Sequence, residues 1–211
     1  MIIRSANTRG ITSNSWITSL RTFSNNSYWD PKYMNFGNLK VINEDTQQPG
    51  NRVPNHRHEN LDILGYMIEG ELEHEDSLGN LNSARPGQIQ HMWCGKGIEH
   101  SEASVGAVPA RYCQLWITPK DFYRNSVPYY KIIEKDVNTF GPILADLHQD
   151  LTIQAGWLRE SRTLTVNKHS YIYVLDGSIT GPDFTLNKGD GAEIYRDFPA
   201  DFNCHLLVFE E

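Results

Sequence analysis

Two short clusters of metal-ligating residue types dominate this sequence, His56-Arg57-His58 and His100-Ser101-Glu102. Within each cluster one residue separates the two ligand types, and on a β-strand that spacing places both side chains on the same face. Two strands that face each other can therefore direct three imidazoles and one carboxylate at one point. Such a donor set suits Fe(II), Mn(II), Ni(II), Cu(II) or Zn(II). The alternative is that the four residues are unrelated surface or packing residues.

The rest of the chain has the pattern of an all-β protein. Aromatic and β-branched residues are plentiful, and glycine and proline interrupt the sequence at short intervals, which is typical of many short strands joined by turns. The 211 residues are enough for one large β domain or two small ones. Strands are predicted over residues 39–43, 63–68, 71–75, 88–93 and 111–118, and a turn-rich connector over residues 119–128.

Charge and cysteine content exclude several classes of protein. The formal net charge is -7 and the sequence has no basic run, so we expect no binding to nucleic-acid phosphates. No apolar run approaches the roughly 18 residues that span a bilayer, and the first residues lack the apolar core of a signal peptide. The three cysteines are widely spaced and odd in number. They are typical of reduced thiols, so we expect a cytoplasmic protein without membrane association.

An internal similarity relates the two halves of the chain. The segment Tyr66–Leu72 resembles Tyr173–Ile179, with a glycine at the same position in each. Two copies of one β-barrel unit would explain this, although chance similarity is an alternative. Aligning the copies places Thr163 and Thr165 where His56 and His58 stand. We therefore predict a metal-binding barrel over residues 1–125 and a barrel without metal ligands over residues 126–211.

The turns around the ligand clusters resemble those of the cupin superfamily. Gly50 precedes His56 by the five intervening residues of the first cupin motif, Gly70 closes the following hairpin, and Gly97 stands in the turn before His100. Longer blocks resemble the pirin family of bicupins. These blocks are Arg21–Ser24, Tyr28–Pro31, Leu39–Asp45, Leu72–Asn80 and, most specifically, Gly95–Glu102.

The resemblance to pirins implies a fold, a site and an activity. The fold would be all-β, a double-stranded β-helix (cupin or germin-like) bicupin made of two antiparallel β-barrels. One divalent metal ion would lie in the N-terminal barrel, with iron(II) expected first and manganese, nickel, copper, cobalt or zinc as alternatives. The implied ligands are His56, His58, His100 and Glu102. Some pirins are quercetin 2,3-dioxygenases, and a vertebrate member is a nuclear cofactor of transcription factors.

Two positions depart from the family pattern. Arg57 replaces the proline that usually separates the first two histidines, and its strand phase should direct it away from the metal. Asp62 replaces the glutamate that usually follows four positions after the H-x-H pair. It is in phase with His56 and His58, so it is either a rival carboxylate ligand or an acceptor for the N–H of a ligand imidazole. The pirin pattern favours Glu102 as the ligand.

Three functions are compatible with this ligand set. The chain is expected to be a dioxygenase that takes dioxygen and a quercetin-like flavonol or another small phenol, with Glu102 as the catalytic acceptor of the substrate proton. Alternatively, it is a non-catalytic regulatory protein in which metal redox state controls binding to a protein partner. A third alternative is a purely structural metal. We expect a monomer in each case.

The remaining histidines and the sulfur-containing residues have simpler interpretations. His74 alternates with two glutamates and is expected to be solvated, and Cys94 is expected to be a buried small residue, not a reactive thiol. Structural or exposed roles are expected for His148, His169 and His205. Apolar core positions are expected for Phe36, Met67, Met92 and Trp93.

Overall fold

The computed structural model describes residues 1–143, 145–165 and 169–211. It contains eighteen strands in its described part and two 3-10 turns, at Ala6–Thr8 and Asp121–Tyr123. The first nine strands are β1 Ile2–Arg4, β2 Gly10–Ser13, β3 Ile17–Arg21, β4 Leu39–Gln47, β5 Arg52–His58, β6 Asp62–Glu69, β7 Leu72–Asp76, β8 Leu81–Ala84 and β9 Gln88–Trp93. The other nine are β10 Ile98–Ser104, β11 Ala110–Ile117, β12 Tyr129–Glu134, β13 Gly141–Pro142, β14 Thr152–Leu164, β15 Ser170–Thr180, β16 Thr185–Asn187, β17 Gly191–Ile194 and β18 Phe198–Glu210.

Every pairing between the described strands is antiparallel, so the predicted all-β class is confirmed. The predicted strands occur with small shifts at their ends, and the longest extension is that of β4 to Gln47. Within the described ranges, no helix has the length and apolar character that crossing a membrane requires.

The contacts divide the chain into two compact units. The first unit comprises Gly10–Lys135 with Ala145–Gln149, and the second comprises Met1–Arg9, Asp136–Leu144 and Asp150–Glu211. This grouping differs from the predicted division at residue 125. The first nine residues belong to the second unit because β1 pairs with β17 there.

The first unit is built from two sheets. The larger sheet has the strand order β12-β9-β6-β11-β4-β3-β2, and the smaller one has the order β5-β10-β7-β8. Strand β6 is buried along most of its length, as its continuous apolar sequence predicts. The smaller sheet carries both predicted ligand clusters, one on β5 and one on β10, and these strands are neighbours.

The second unit is a sheet of the order β1-β17-β15-β18-β14-β13, with β16 paired to β15. Its apolar core is formed by side chains of β14 to β18. Thr163 lies on β14 and is exposed, as is Thr165. None of the three cysteines forms a disulfide bond, and all three are buried.

Candidate metal centre

Three histidines of β5 and β10 meet at one point. In the antiparallel register His56 stands opposite His100, and His58 lies two residues further along β5. The imidazole centroids are 4.4 Å apart for His56 and His100, 4.8 Å for His56 and His58, and 5.2 Å for His58 and His100. One nitrogen of each ring lies within 4.8 Å of the others. This arrangement can hold a metal ion.

The hydrogen bonds of the cluster determine which ring nitrogens are available. Nδ1 of His56 lies 2.9 Å from the carbonyl oxygen of Pro54. Because a carbonyl only accepts, Nδ1 carries the proton and Nε2 keeps its lone pair. Nε2 of His100 is buried and has no hydrogen-bond partner among the described residues. A buried unpaired nitrogen is costly, and a metal ion would satisfy it, so the donor set fits the implied ion.

The charge state of the cluster also suits a metal. Burial, together with repulsion from the neighbouring histidines, lowers the pKa of His100 to about 2. Burial and the proximity of His56 lower the pKa of His58 to about 4. Both imidazoles are therefore neutral near pH 7 and can coordinate without first losing a proton.

Glu102 lies on the same strand as His100 but does not join the group of mutually close ligand atoms. The β5–β10 register shifts between these two residues, which re-aims Glu102 relative to an unbroken i, i+2 pair. Nε2 of Gln114 lies 3.3 Å from each of its carboxylate oxygens. Burial and repulsion from the nearby Asp45 raise the pKa of Glu102 to about 7. The hydrogen bonds from Gln114 oppose this shift.

Asp62 does not contact the histidine cluster. Its buried carboxylate lies 2.9 Å from Nε2 of His91 and also accepts hydrogen bonds from the backbone N–H and Nδ1 of His148. The prediction that Asp62 orients a ligand imidazole, or replaces Glu102 as a ligand, therefore lacks support. Asp62 is the first residue of β6 in the larger sheet, whereas the histidine cluster lies on the smaller sheet. The strand phase that Asp62 shares with His56 and His58 in the sequence therefore did not indicate that it lies close to them.

His74 is placed differently from the prediction. Its side chain is buried because it shares the inward face of β7 with Leu72, while Glu73 and Glu75 face outward. It stands opposite Glu102 in the β7–β10 ladder, and its Nδ1 lies 3.3 Å from Nδ1 of His100. The available signal was the phase that His74 shares with Leu72, an apolar residue of the same strand.

Gln114 is a second residue that the sequence did not indicate. Its Oε1 accepts a hydrogen bond from Nε1 of Trp116, while its Nε2 donates to Glu102. A buried amide within the apolar run of β11 was the available signal. The amide thus links the carboxylate to the aromatic side of the site.

An apolar wall adjoins the histidines. The indole of Trp116 meets the ring of His58 edge to face, with centroids 4.9 Å apart. Trp116 packs, together with the partly buried Leu61 and Tyr130, on a buried cluster formed by Ile63, Met92, Cys94 and Ile98. Burial and the nearby Asp62 raise the pKa of Cys94 to about 12, so its thiol is protonated and unreactive, as predicted.

Other predictions about single residues can now be compared with the structure. Arg57 points away from the cluster and donates to Glu59 and to the carbonyl of Lys96. Its guanidinium lies against Gly97, whose φ of 132° is one that residues with a Cβ rarely adopt, and this angle explains the glycine. His148 stacks on Trp93 at 3.8 Å and therefore has a structural role. The four predicted core residues are buried: Phe36, Met67, Met92 and Trp93.

Comparison with known proteins adds independent findings. A sequence model of the Pirin family matches residues 4–117. A quercetin 2,3-dioxygenase of Escherichia coli K12 is 30% identical over 227 residues, which cover 99% of this chain and 97% of that protein. A pirin-like protein of Caulobacter vibrioides is 38% identical over 107 residues, covering 51% of this chain and 46% of its own length.

The structural comparison agrees with the sequence comparison. The crystal structure of the bacterial pirin YhhW from Escherichia coli, in complex with nickel(II), is 29% identical and superposes with a TM-score of 0.90. The likeness covers 99% of this chain and 97% of that one. The predicted cupin-type fold class is confirmed by this match.

Proposed function

Because the chain belongs to the pirin family, we propose that it is a metal-dependent dioxygenase that acts on quercetin-like flavonols or related phenols. The observation that carries the proposal is the convergence of three imidazoles beside an apolar wall. The quercetin 2,3-dioxygenase that matches nearly the whole chain supports the same activity.

The metal would be held by His56, His58 and His100, with Glu102 as the fourth ligand. The hydrogen bonds from Gln114 to Glu102 are long, at 3.3 Å, so turning one carboxylate oxygen toward the histidines breaks only one weak contact and leaves Gln114 on the other oxygen. Iron(II) is the proposed ion, and nickel(II) is supported as an alternative by the complex of the bacterial pirin. When bound, such an ion supplies Lewis acidity to a phenolate oxygen and a redox centre for dioxygen.

The protein's own residues would bind and deprotonate the phenol. Trp116 and the apolar cluster behind it offer a surface for a flat aromatic ring next to His58. A carboxylate oxygen of Glu102 would accept the proton of the substrate hydroxyl, which makes the ring electron-rich. Gln114 would hold the second oxygen of that carboxylate and keep its orientation through the Trp116 indole.

Aerobic turnover of the metal-loaded protein tests this function. We expect loss of the long-wavelength absorbance of quercetin together with uptake of dioxygen. The metal-free protein and the double variant His56→Ala/His58→Ala should consume neither. A fully metal-loaded wild type that consumes neither quercetin nor any of a panel of related phenols would contradict the proposed activity.

A further inference from the structure

We propose that His74 and Asp76 are positioning residues that fix the orientation and tautomer of His100, so that Nε2 of His100 faces the metal position. This inference rests on the proposed metal centre and goes beyond its ligands. Such a role differs from the solvated one that the sequence predicted for His74, and it assigns a task to Asp76 as well.

The three side chains form a continuous chain of contacts. Nδ1 of His100 lies 3.3 Å from Nδ1 of His74, and Nε2 of His74 lies 2.8 Å from Oδ2 of Asp76. The strand register creates this chain, because His100 stands opposite Asp76 and Glu102 opposite His74 in the β7–β10 ladder. Asp76 lies at the end of the chain, next to the hairpin loop that joins β7 to β8.

The direction of the hydrogen bonds follows from the surroundings of Asp76. Its carboxylate accepts from the backbone N–H groups of Leu78 and Asn80 and from the side-chain amide of Asn80. All of these are donors, so the carboxylate is an acceptor and Nε2 of His74 donates to it. A neutral imidazole that donates through Nε2 must accept through Nδ1.

The tautomer of His100 follows from that of His74. Because Nδ1 of His74 accepts, Nδ1 of His100 carries a proton and donates it into this hydrogen bond. The lone pair of His100 is then on Nε2, the atom that is buried without a hydrogen-bond partner among the described residues. The chain from Asp76 thus selects the tautomer of His100 that can coordinate.

The positioning group is held rigidly. His74 is 1% exposed, and its ring stacks on the ring of Tyr130, with centroids 3.9 Å apart and planes inclined by 3°. The side chain of Asp76 is fully buried and fixed by the hairpin loop. Neither ring of the His74–His100 pair can rotate without breaking a buried contact. Nδ1 of His56 donates the equivalent hydrogen bond to the carbonyl of Pro54, so each of these two histidines has its own acceptor.

Two variants of His74 separate positioning from packing. His74→Phe keeps a ring that can stack on Tyr130 but removes the acceptor for His100. His74→Gln replaces the ring by an amide whose oxygen can accept from Nδ1 of His100. The matched control is His91→Phe, which removes another buried histidine–carboxylate pair of the same unit, His91 with Asp62, away from the cluster.

Nickel(II) affinity, measured in competition with a chelator, is the first measurement. We expect His74→Phe to lower the affinity by roughly 10–100-fold, which is typical when a partner of a metal-ligating imidazole is removed. His74→Gln should recover most of the loss, and His91→Phe should bind within about twofold of the wild type. Unchanged nickel(II) affinity in folded His74→Phe would overturn the proposal.

The tautomer of His100 in the metal-free wild type is the second measurement, and it does not need a folded variant. Nitrogen-15 NMR should find Nδ1 of His100 protonated and Nε2 unprotonated. A predominant Nε2-protonated form would refute the positioning role whether or not metal binds. In contrast, a wild type with the expected tautomer that binds no nickel(II) would count against the proposed metal centre and leave the assigned hydrogen-bond chain intact.

Discussion

The side-chain amide of Gln114 lies 3.3 Å from both carboxylate oxygens of Glu102, so a neutral donor is the contact that holds this buried acid. Gln114 is in turn fixed by its hydrogen bond from Trp116. The acid that the family resemblance assigns to the metal is therefore linked through Gln114 to Trp116, whose indole meets the ring of His58.

The variant Glu102→Gln tests the role of this acid. An amide oxygen can still coordinate weakly but an amide cannot accept the substrate proton, so we expect the protein to keep much of its metal. Turnover of quercetin should fall by roughly 10²–10⁴-fold, the usual contribution of a general base. Metal content and oxygen uptake should be measured on the same sample. Wild-type turnover by the metal-loaded variant would show that Glu102 is not the base.

The three histidines should account for one bound ion per chain. The double variant His56→Ala/His58→Ala is expected to lose the ion, because only His100 would remain of the cluster. A ligand that binds only the folded state raises the free energy of unfolding by about 2.7 kcal/mol at a concentration 100 times its dissociation constant. Nickel(II) should therefore raise the melting temperature of the wild type but not that of the double variant.

His169→Ala is the matched control for this experiment. His169 lies in the second unit, where its Nε2 is 3.0 Å from a carboxylate oxygen of Glu193. Its replacement should leave both the metal content and the nickel(II) response unchanged. Two tightly held ions per wild-type chain would contradict a single centre.

Much of the centre could be predicted because it depends on local spacing. Residues two positions apart on a strand share a face, so the two histidines of β5 needed no tertiary information. The environment of Asp62 could not be predicted in this way. Its partners His91 and His148 lie far along the chain, and only the register of β6 with β9 and the return of residues 145–149 bring them together.

In the fold, too, features with a local sequence signal could be predicted and features without one could not. Turn glycines and strand periodicity predicted five strands of the first unit, β4, β6, β7, β9 and β11, since both signals are local. The pairing of β1 with β17 has no local signal, because Ile2–Arg4 carries no pattern that specifies a partner almost the whole chain away. For His74 the local alternation was predicted correctly, but the face that it shares with Leu72 is the buried one.

Asp62→Asn should affect stability and not metal binding. An amide at this position would present N–H groups to His91 or His148, which already donate to the carboxylate. Leaving a buried donor unpaired costs about 1–3 kcal/mol, so the free energy of unfolding should fall by that amount. Urea denaturation measures this loss, and elemental analysis should still find one ion per chain. Loss of the metal would mean that Asp62 acts on the centre after all.

The buried carboxyl of Asp45 should make the stability of the fold depend on pH. Burial raises the pKa of this carboxyl from 3.8 to about 6, although a hydrogen bond from Ser19 and attraction by Arg21 oppose the shift. The folded state thus holds the proton more tightly than the unfolded state, so Asp45 destabilises the fold progressively as the pH rises from about 4 to about 6. Above that range its contribution is constant.

Asp45→Asn removes this titration. Relative to wild type, the variant should gain up to about 3 kcal/mol of unfolding free energy between pH 4 and pH 7, the equivalent of about two pKa units. Urea denaturation of the metal-free proteins at both pH values measures the difference. If the stability difference between variant and wild type is the same at pH 4 and pH 7, the raised pKa is wrong.

The last prediction concerns the glycines shared by the two similar segments. Gly70 and Gly177 have φ angles of 71° and 81°, and a Cβ on either would collide with a backbone carbonyl oxygen, of Pro109 and Asn203 respectively. Gly79 also has a positive φ, of 89°, but an added Cβ there meets no atom within 4 Å. It is therefore a matched control that isolates the conformational cost from the collision.

We expect Gly79→Ala to lower the free energy of unfolding by about 1 kcal/mol, the cost of a left-handed conformation for an L-residue. Gly70→Ala should cost roughly 3 kcal/mol or more, because the backbone must also move away from the Pro109 carbonyl. Urea denaturation of the two variants measures both losses under the same conditions. Equal losses of unfolding free energy would mean that the strand end at Gly70 relaxes freely. A glycine would then be needed there only because of its φ angle.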